Sequence, residues 1–164
     1  MIISVCGKPS TGKSSFFKAA TLAEVEIAPH PFTTIKSSEG IAFIKIECVD
    51  KFFNTQCNPR YGYCINHFRF VPIKLYDIPG LIENAHLGEG LGLEFLNDIR
   101  EADALIHIID ISGSTDERGN SVPALSHDPL KDVRFLEDEL DYWYLGILKK
   151  GWDKFAKSLR QENL

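Results

Sequence analysis

The sequence lacks long hydrophobic runs and any excess of positive charge. No apolar stretch approaches the roughly 18 residues of a membrane-spanning helix, and the first residues enter a strand-like pattern without the basic segment of a signal peptide. The formal net charge of −5 argues against a strongly basic DNA-binding surface, although a local basic patch would still permit contact with RNA. We therefore expect a cytoplasmic protein with no membrane segment and no specific DNA binding.

The four cysteines do not include the short C-x₂₋₄-C pair that structural zinc sites usually contain. Cys57, Cys64 and His67 are spaced as C-x6-C-x2-H, and Cys48 lies nearby in the sequence. We expect reduced, partly buried thiols there, with a metal site as the open alternative. Cys6 follows apolar residues and is expected in the core.

What is present is a complete phosphate-binding loop. An apolar run ending at Cys6 precedes a segment that fills every fixed position of GxxxxGK[ST], and a helical pattern from Ser14 to about Leu22 follows. Backbone amides at a helix N-terminus bind anions, and glycines permit the chain to wrap around them. The predicted nucleotide-binding residues here are Gly7, Lys8, Pro9, Ser10, Thr11, Gly12, Lys13, Ser14 and Ser15.

Three side chains of this and two later motifs are candidate Mg²⁺ ligands. Ser14 ends the phosphate-binding loop, Thr34 lies in the Pro-rich loop Pro31-Phe32-Thr33-Thr34-Ile35, and Asp77 ends an apolar strand. Hydroxyl and carboxylate oxygens suit this ion, and Lys13 and Thr34 are also candidate catalytic residues. Asp77-Ile78-Pro79-Gly80 matches DxxG, so the Gly80 amide is expected to sense a γ-phosphate. A surface threonine pair remains the alternative for Thr33 and Thr34.

The remaining pattern predicts an α/β fold. Strands are expected over 40–49 and 71–76, forming a hairpin with an elaborated tip, and over the buried apolar run 104–110. Asp128-Pro129 predicts a helix start, and apolar residues recur at helical spacing up to Ile147, followed by a second helical stretch to about Gln161. We found no chemistry beyond solvation in the polar loop 112–127.

Together these motifs resemble the Obg-like GTPases, particularly the archaeal form of the YchF branch. The most specific part is the segment from Asp77-Ile78-Pro79-Gly80-Leu81 through Gly88-Glu89-Gly90-Leu91-Gly92 to Ala102-Asp103. The resemblance implies a Ras-like P-loop domain with a mostly parallel sheet flanked by helices, incomplete at its C-terminal side. It divides the chain into a partial G domain, 1–128, and a helical segment, 129–164, and it implies GTP or ATP as ligand and association with ribosomes or ribosomal RNA.

Two departures from the family pattern affect the expected function. Ser10 replaces the usual asparagine, which can help to hold a monovalent cation in the family. The base-reading NKxD motif is absent, so GTP and ATP are expected to bind with similar, weak affinity. Leu81 follows DxxG and cannot orient water, which leaves His86 on the glycine-rich loop as the candidate water-positioning residue, with a solvent-facing histidine as the alternative. We expect a Mg²⁺-dependent hydrolase of low intrinsic activity, or alternatively a nucleotide-dependent switch with negligible catalysis.

Overall fold

The computed structural model describes residues 1–22, 38–82, 85–87 and 98–162. Residues 160–162 are described by their backbone alone. Short 3-10 helices occupy Val49–Lys51 and Ala85–Leu87. The main elements are five strands and two helices, which confirms the α/β class. They are β1 (Ile2–Cys6), α1 (Lys13–Thr21), β2 (Ser38–Glu47), β3 (Tyr63–Ile65), β4 (Phe68–Asp77), β5 (Ala104–His107) and α2 (Pro129–Glu162).

The five strands form one mixed sheet in the order β2-β4-β1-β5, with β3 paired to β4. Strand β1 runs parallel to both β4 and β5, whereas β2 and β3 are antiparallel to β4. Val5 pairs with Asp77, and Cys6 pairs with His107. The carboxyl ends of the three parallel strands therefore meet at one edge, which is where open α/β sheets bind ligands.

The predicted hairpin is confirmed. Strand β2 begins and ends two residues earlier than the pattern indicated, and β4 is longer than predicted. Strands β2 and β4 pair over ten residues each. The tip contains a third strand, β3, that we did not predict. It joins β4 through Asn66 and His67, which both have positive φ (50° and 64°), as two-residue hairpin turns require. The sequence signal was weak because His67 stands where glycine is usual.

The sheet has a hydrophobic cluster on each face, because alternate residues of a strand point to opposite sides. Val5 packs with Phe17 of α1 on one face, and Cys6 packs with Leu136 of α2 on the other. Cys6 is fully buried, as expected for a core thiol, and burial raises its pKa to about 11. The arrangement of helices on both faces of the sheet confirms the predicted fold class.

Strand β5 is shorter and more exposed than its apolar run predicted. It ends at His107, its first residue is exposed and the next three are half-buried. Among the described strands β5 pairs with β1 alone, so it forms an edge of the sheet. Burial lowers the pKa of His107.

Helix α2 is one continuous helix of 34 residues, so the expectation of two helical stretches was wrong. Gly146 and Gly151 lie within it. Each costs a helix about 1 kcal/mol relative to alanine, which the helix-forming residues around them tolerate. The first half packs on the sheet through Leu136, but several large apolar residues of the second half are exposed. No helix in the described part of the chain has the length and apolar character for crossing a membrane.

Candidate functional site

The loop between β1 and α1 has the backbone conformation that its glycines predict. Gly7 has φ of 142° and Gly12 has φ of 93°. A Cβ on Gly7 would lie 2.3 Å from the Ile108 carbonyl oxygen, so the loop is pressed against the segment after β5. Ser10 is also left-handed, with φ of 64°. Asparagine tolerates this conformation better than most residues, which gives a backbone reason for the asparagine that is usual at this position.

Helix α1 begins at Lys13, directly after the loop, and its first turn contains no acidic residue. The positive end of the helix dipole therefore faces the loop without an internal countercharge. The Lys13 ammonium donates a hydrogen bond of 2.8 Å to the carbonyl oxygen of Lys8, across the loop. Burial lowers the pKa of Lys13 to about 8, although Asp77 acts in the opposite direction. The site thus presents a buried cation that a bound anion would stabilise.

Ser14 and Asp77 lie in contact, although 63 positions separate them in the sequence. The Ser14 hydroxyl donates a hydrogen bond of 2.5 Å to Oδ2 of Asp77. Oδ1 of the same carboxylate is buried and has no hydrogen-bond partner among the described residues. Burial raises the pKa of Asp77, while Ser14 and Lys13 oppose that shift. A hydroxyl and a partly unsatisfied carboxylate side by side fit a Mg²⁺ ion.

The Lys8 side chain extends away from the loop into the protein, where it is 1% exposed. Its ammonium donates a hydrogen bond of 2.8 Å to the Thr115 carbonyl oxygen and lies 2.9 Å from Oδ2 of Asp132, on the first turn of α2. The other oxygen, Oδ1, lies 2.6 Å from Nε2 of His127. Lys8 therefore connects the phosphate-binding loop to α2. The motif gave no sign of this connection.

The polar loop 112–127 packs against the phosphate-binding loop. The sequence had indicated no role for this loop beyond solvation. A Cβ on Gly119, whose φ is 79°, would lie 2.6 Å from the Pro9 carbonyl oxygen. A Cβ on Gly80 would lie 2.8 Å from the Pro9 ring. Pro9 is therefore enclosed by glycines from two other segments. Repeated glycine was the available signal, but a sequence does not indicate which backbone each glycine approaches.

Asp110 organises the beginning of this supporting loop. Its carboxylate accepts hydrogen bonds from Ser112, Ser114 and Thr115, including one of 2.7 Å from the Thr115 hydroxyl. Burial acts to raise the pKa of Asp110, but these hydrogen bonds hold it well below its usual range. The ionised carboxylate thereby fixes Thr115, whose carbonyl oxygen receives the Lys8 ammonium.

His86 lies in the short 3-10 helix Ala85–Leu87, packs against α2 and makes no described contact with the phosphate-binding loop. Its Nδ1 is 2.7 Å from Oε2 of Glu139, its backbone N–H donates to the same oxygen, and its ring stacks on Tyr142 with centroids 4.7 Å apart. Glu139 is buried. His86 and Lys8 both line a cavity of about 400 Å³ beside α2. His86 is therefore oriented by a carboxylate, and the solvent-facing alternative does not describe its environment.

Several predicted features lie outside the described residues. These are Thr34 with its whole proline-rich loop, and the glycine-rich segment 88–97. Of the predicted site residues, the structure brings together the phosphate-binding loop, Asp77 and Gly80 at the carboxyl edge of the sheet. Leu81 is 1% exposed and belongs to the core cluster, so its apolar side chain has a packing role.

Sequence comparison identifies the family to which this arrangement belongs. Residues 2–135 match the family model described as 50S ribosome-binding GTPase. The chain belongs to that family. It is 45% identical, over 161 residues, to an uncharacterized GTP-binding protein of Methanocaldococcus jannaschii. That alignment covers 98% of this chain and 40% of the relative. It is also 40% identical, over 105 residues, to the ribosome-binding ATPase YchF of Mycoplasma genitalium, covering 64% of this chain and 27% of the relative.

A solved structure supports the same fold. The chain aligns over its whole length with 39% of the GTP-binding protein from Pyrococcus horikoshii OT3, with a TM-score of 0.72 and 36% identity. Relatives named as YchF and as Obg are both among the matches, which confirms the Obg-like P-loop GTPase family. Membership of the archaeal YchF branch stays a prediction. The chain spans about two fifths of the length of the Methanocaldococcus and Pyrococcus relatives.

Proposed function

We propose that this chain binds GTP, and also ATP, with Mg²⁺ and hydrolyses the terminal phosphate slowly. The observation that carries the proposal is the 2.5 Å contact between Ser14 and Asp77 beside the phosphate-binding loop. These two residues are the candidate Mg²⁺ ligands and come from distant parts of the sequence, and the Lys13 charge acts on the Asp77 carboxylate. The family membership and the names of the GTP-binding relatives support the same ligand class.

In this proposal the protein acts by positioning and by electrostatics. Lys13 and the loop amides hold the phosphates, and Ser14, Asp77 and Thr34 would hold Mg²⁺, which when bound neutralises charge on the phosphate oxygens. The Gly80 amide contacts the terminal phosphate. Lys8 stabilises the position of the loop, because its ammonium donates a hydrogen bond to Thr115 and forms an ion pair with Asp132.

His86 is proposed as the residue that positions the attacking water. If the Glu139 carboxylate accepts the proton of Nδ1, the neutral ring keeps a lone pair on Nε2 that can accept a hydrogen bond from water. A histidine oriented by a carboxylate is a common arrangement for a general base. His86 would have to reach the terminal phosphate, so this role requires movement of its segment away from α2 or of the nucleotide site toward it.

Single-turnover release of inorganic phosphate tests the hydrolytic proposal. His86→Ala and Glu139→Gln should slow release while nucleotide affinity stays nearly unchanged, because a water-positioning pair acts on turnover. Glu137→Gln is the matched control, since Glu137 is an exposed neighbour on α2. Equal rates in all three variants and the unsubstituted chain would remove His86 from the mechanism.

The second candidate function is a switch whose nucleotide state controls a partner, and the ribosome is the proposed partner. The support for this partner is the family description and the ribosome-binding YchF relative. Phosphate release measured with and without ribosomes distinguishes the two functions. A pure switch would release phosphate no faster than buffer in either condition, whereas an enzyme would exceed the buffer rate.

We further propose that base discrimination by this chain is weak. The NKxD motif that reads guanine is absent, and a missing buried polar contact removes the basis for strong discrimination between analogues. Affinities for GTP and ATP should therefore agree within about tenfold. Tight binding of GTP without detectable binding of ATP would contradict this and would require another reader, such as the segment from Asp110 to Arg118.

A further inference from the structure

The hairpin tip carries a cluster of sulfur atoms that the nucleotide site does not use. Cys48 follows β2, Cys57 lies in the tip loop, and Cys64 lies in β3. The three Sγ atoms all lie within 4.8 Å of one another, and all three cysteines are free thiols. This cluster is at the opposite end of β4 from Asp77, about 30 Å away at the usual rise per residue of a strand.

We propose that Cys48, Cys57 and Cys64 bind one Zn²⁺ ion, with the Asp50 carboxylate as the fourth ligand. Zinc prefers four ligands in a tetrahedron, with Zn–S near 2.3 Å and Zn–O near 2.0–2.2 Å. Those bond lengths place the sulfurs about 3.8 Å apart and the oxygen about 3.5 Å from each sulfur. The three sulfurs lie within 4.8 Å of one another, and Oδ2 of Asp50 lies 3.4 Å from Sγ of Cys64.

Asp50 is the best-placed fourth ligand because the protein already holds it at the cluster. It is buried, and Oδ2 also accepts a hydrogen bond of 3.0 Å from the Cys57 backbone N–H. Its other oxygen, Oδ1, lies 2.9 Å from Nδ1 of His67. His67 therefore orients the carboxylate from outside the cluster, in the way that outer-shell partners orient metal ligands.

A positive charge lies beside one sulfur of the cluster, whereas burial raises the pKa of the Cys64 thiol to about 12. The Arg69 guanidinium donates to Sγ of Cys57 at 3.7 Å, and a neighbouring cation stabilises a thiolate. Three thiolates and one carboxylate would leave a zinc complex with excess negative charge, which Arg69 partly balances. This assignment revises the sequence expectation, in which His67 was the candidate ligand and the spacing argued for thiols without a metal.

A bound ion would join the tip loop to the sheet. The tip has little core of its own, since Phe52 and Phe53 are 86% and 69% exposed. Small loop-rich structures that cannot bury enough apolar surface are commonly stabilised by a metal. The proposed ion would connect the end of β2, the loop and β3, and would do so independently of nucleotide binding.

The test is titration of the whole chain with Zn²⁺ and separately with Co²⁺, under a reducing agent that does not chelate metal. We expect one tightly bound Zn²⁺ per chain, measured by competition with a chromophoric chelator. The Co²⁺ complex should show sulfur-to-metal charge-transfer bands and the intense visible bands of a tetrahedral site. Cys57→Ser should lower zinc affinity by at least about tenfold, because loss of an outer-shell partner alone typically lowers metal affinity by about 10–100-fold.

One control and two further variants test the assignment of the ligands. Cys6→Ser removes the core thiol outside the cluster and should retain one zinc per chain, while Asp50→Asn should weaken binding and His67→Ala should weaken it less. Equal zinc affinity in Cys57→Ser and Cys6→Ser would overturn the proposal. If Cys57→Ser fails to fold, the Co²⁺ spectrum of the unsubstituted chain decides alone, and the absence of tetrahedral sulfur-ligand bands would overturn the proposal as well.

Discussion

Lys8 and Asp132 form a buried ion pair, 2.9 Å apart, between the phosphate-binding loop and the first turn of α2. Both side chains are almost inaccessible to solvent, at 1% and 5%. Removal of one partner from such a pair leaves an uncompensated buried charge, whereas removal of both leaves none. The position of the loop should therefore depend on a helix that begins more than a hundred residues later.

Asp132→Asn should lower the free energy of unfolding by roughly 3–5 kcal/mol, because Lys8 would lose its countercharge. Chemical denaturation measures this difference. Asp153→Asn is the matched control, since Asp153 is exposed on the same helix and should change stability by less than about 0.5 kcal/mol. The double variant Lys8→Met with Asp132→Leu should recover much of the loss, and a loss equal to the sum of the single changes would contradict the coupling.

The glycines on either side of Pro9 and the glycines of α2 should respond to alanine in opposite directions. Gly119→Ala should destabilise the protein by more than about 1 kcal/mol, because φ is 79° and the new Cβ would lie 2.6 Å from the Pro9 oxygen. Gly151→Ala should stabilise it by about 0.5–1 kcal/mol, since nothing lies within 4 Å and the site is helical. Thermal unfolding of both variants checks the signs, and a shared sign would disprove this explanation.

Much of this site could be predicted from local sequence. The loop glycines, Ser14 and Asp77 belong to short motifs whose chemistry fixes their spacing, and the strand pattern placed Asp77 at the correct edge. The contacts of Lys8, Gly119 and Glu139 could not be predicted, because each depends on which distant backbone or side chain the fold brings near. The same holds for Cys48, Cys57 and Cys64. Their spacing in the sequence matches no usual metal-binding motif, yet the hairpin brings their sulfur atoms together.

Helix α2 shows the limit of periodicity in a different way. Its apolar spacing predicted a helix correctly, yet it indicated two stretches that meet at Ile147, where the structure has one continuous helix. The periodicity also did not indicate which apolar residues would be covered. Leu136 packs in the core cluster with Cys6 of β1, whereas Trp152 is 67% exposed.

Burial lowers the pKa of Lys13 to about 8. Nucleotide affinity should therefore fall as the pH rises through about 8. Below that pH the ammonium is charged and available to phosphate; above it the free protein loses the charge. Stability should change in the opposite direction, because the unfolded chain retains this proton up to its ordinary pKa, so the folded state gains stability from pH 8 upward. Isothermal titration at pH 7 and pH 9 measures the affinity change.

Lys13→Arg is the control for this pH dependence, since a guanidinium stays protonated throughout the range. Its affinity should be lower at pH 7 and should decline less between the two pH values than that of the unsubstituted chain. Parallel declines would assign the effect to the nucleotide or to another group.

Ser14→Ala should weaken nucleotide binding mainly when Mg²⁺ is present. The substitution removes the hydroxyl that contacts Asp77 at 2.5 Å but leaves the loop backbone and Lys13 in place. Titrations with Mg²⁺ and with a chelator in its place provide the comparison. Ser158→Ala, which removes a hydroxyl at an exposed position of α2, is the control. Equal losses for Ser14→Ala under both conditions would argue against its role as a metal ligand.

The central claim is that the loop from Gly7 to Ser14 binds nucleoside triphosphate through Lys13. Calorimetric titration of GTP with Mg²⁺ into the unsubstituted chain and into Lys13→Ala tests it most directly, with circular dichroism to verify that the variant is folded. We predict a one-to-one complex with the unsubstituted chain and no measurable heat of binding with Lys13→Ala. The same affinity in both proteins would contradict the assignment of this loop as the phosphate-binding site.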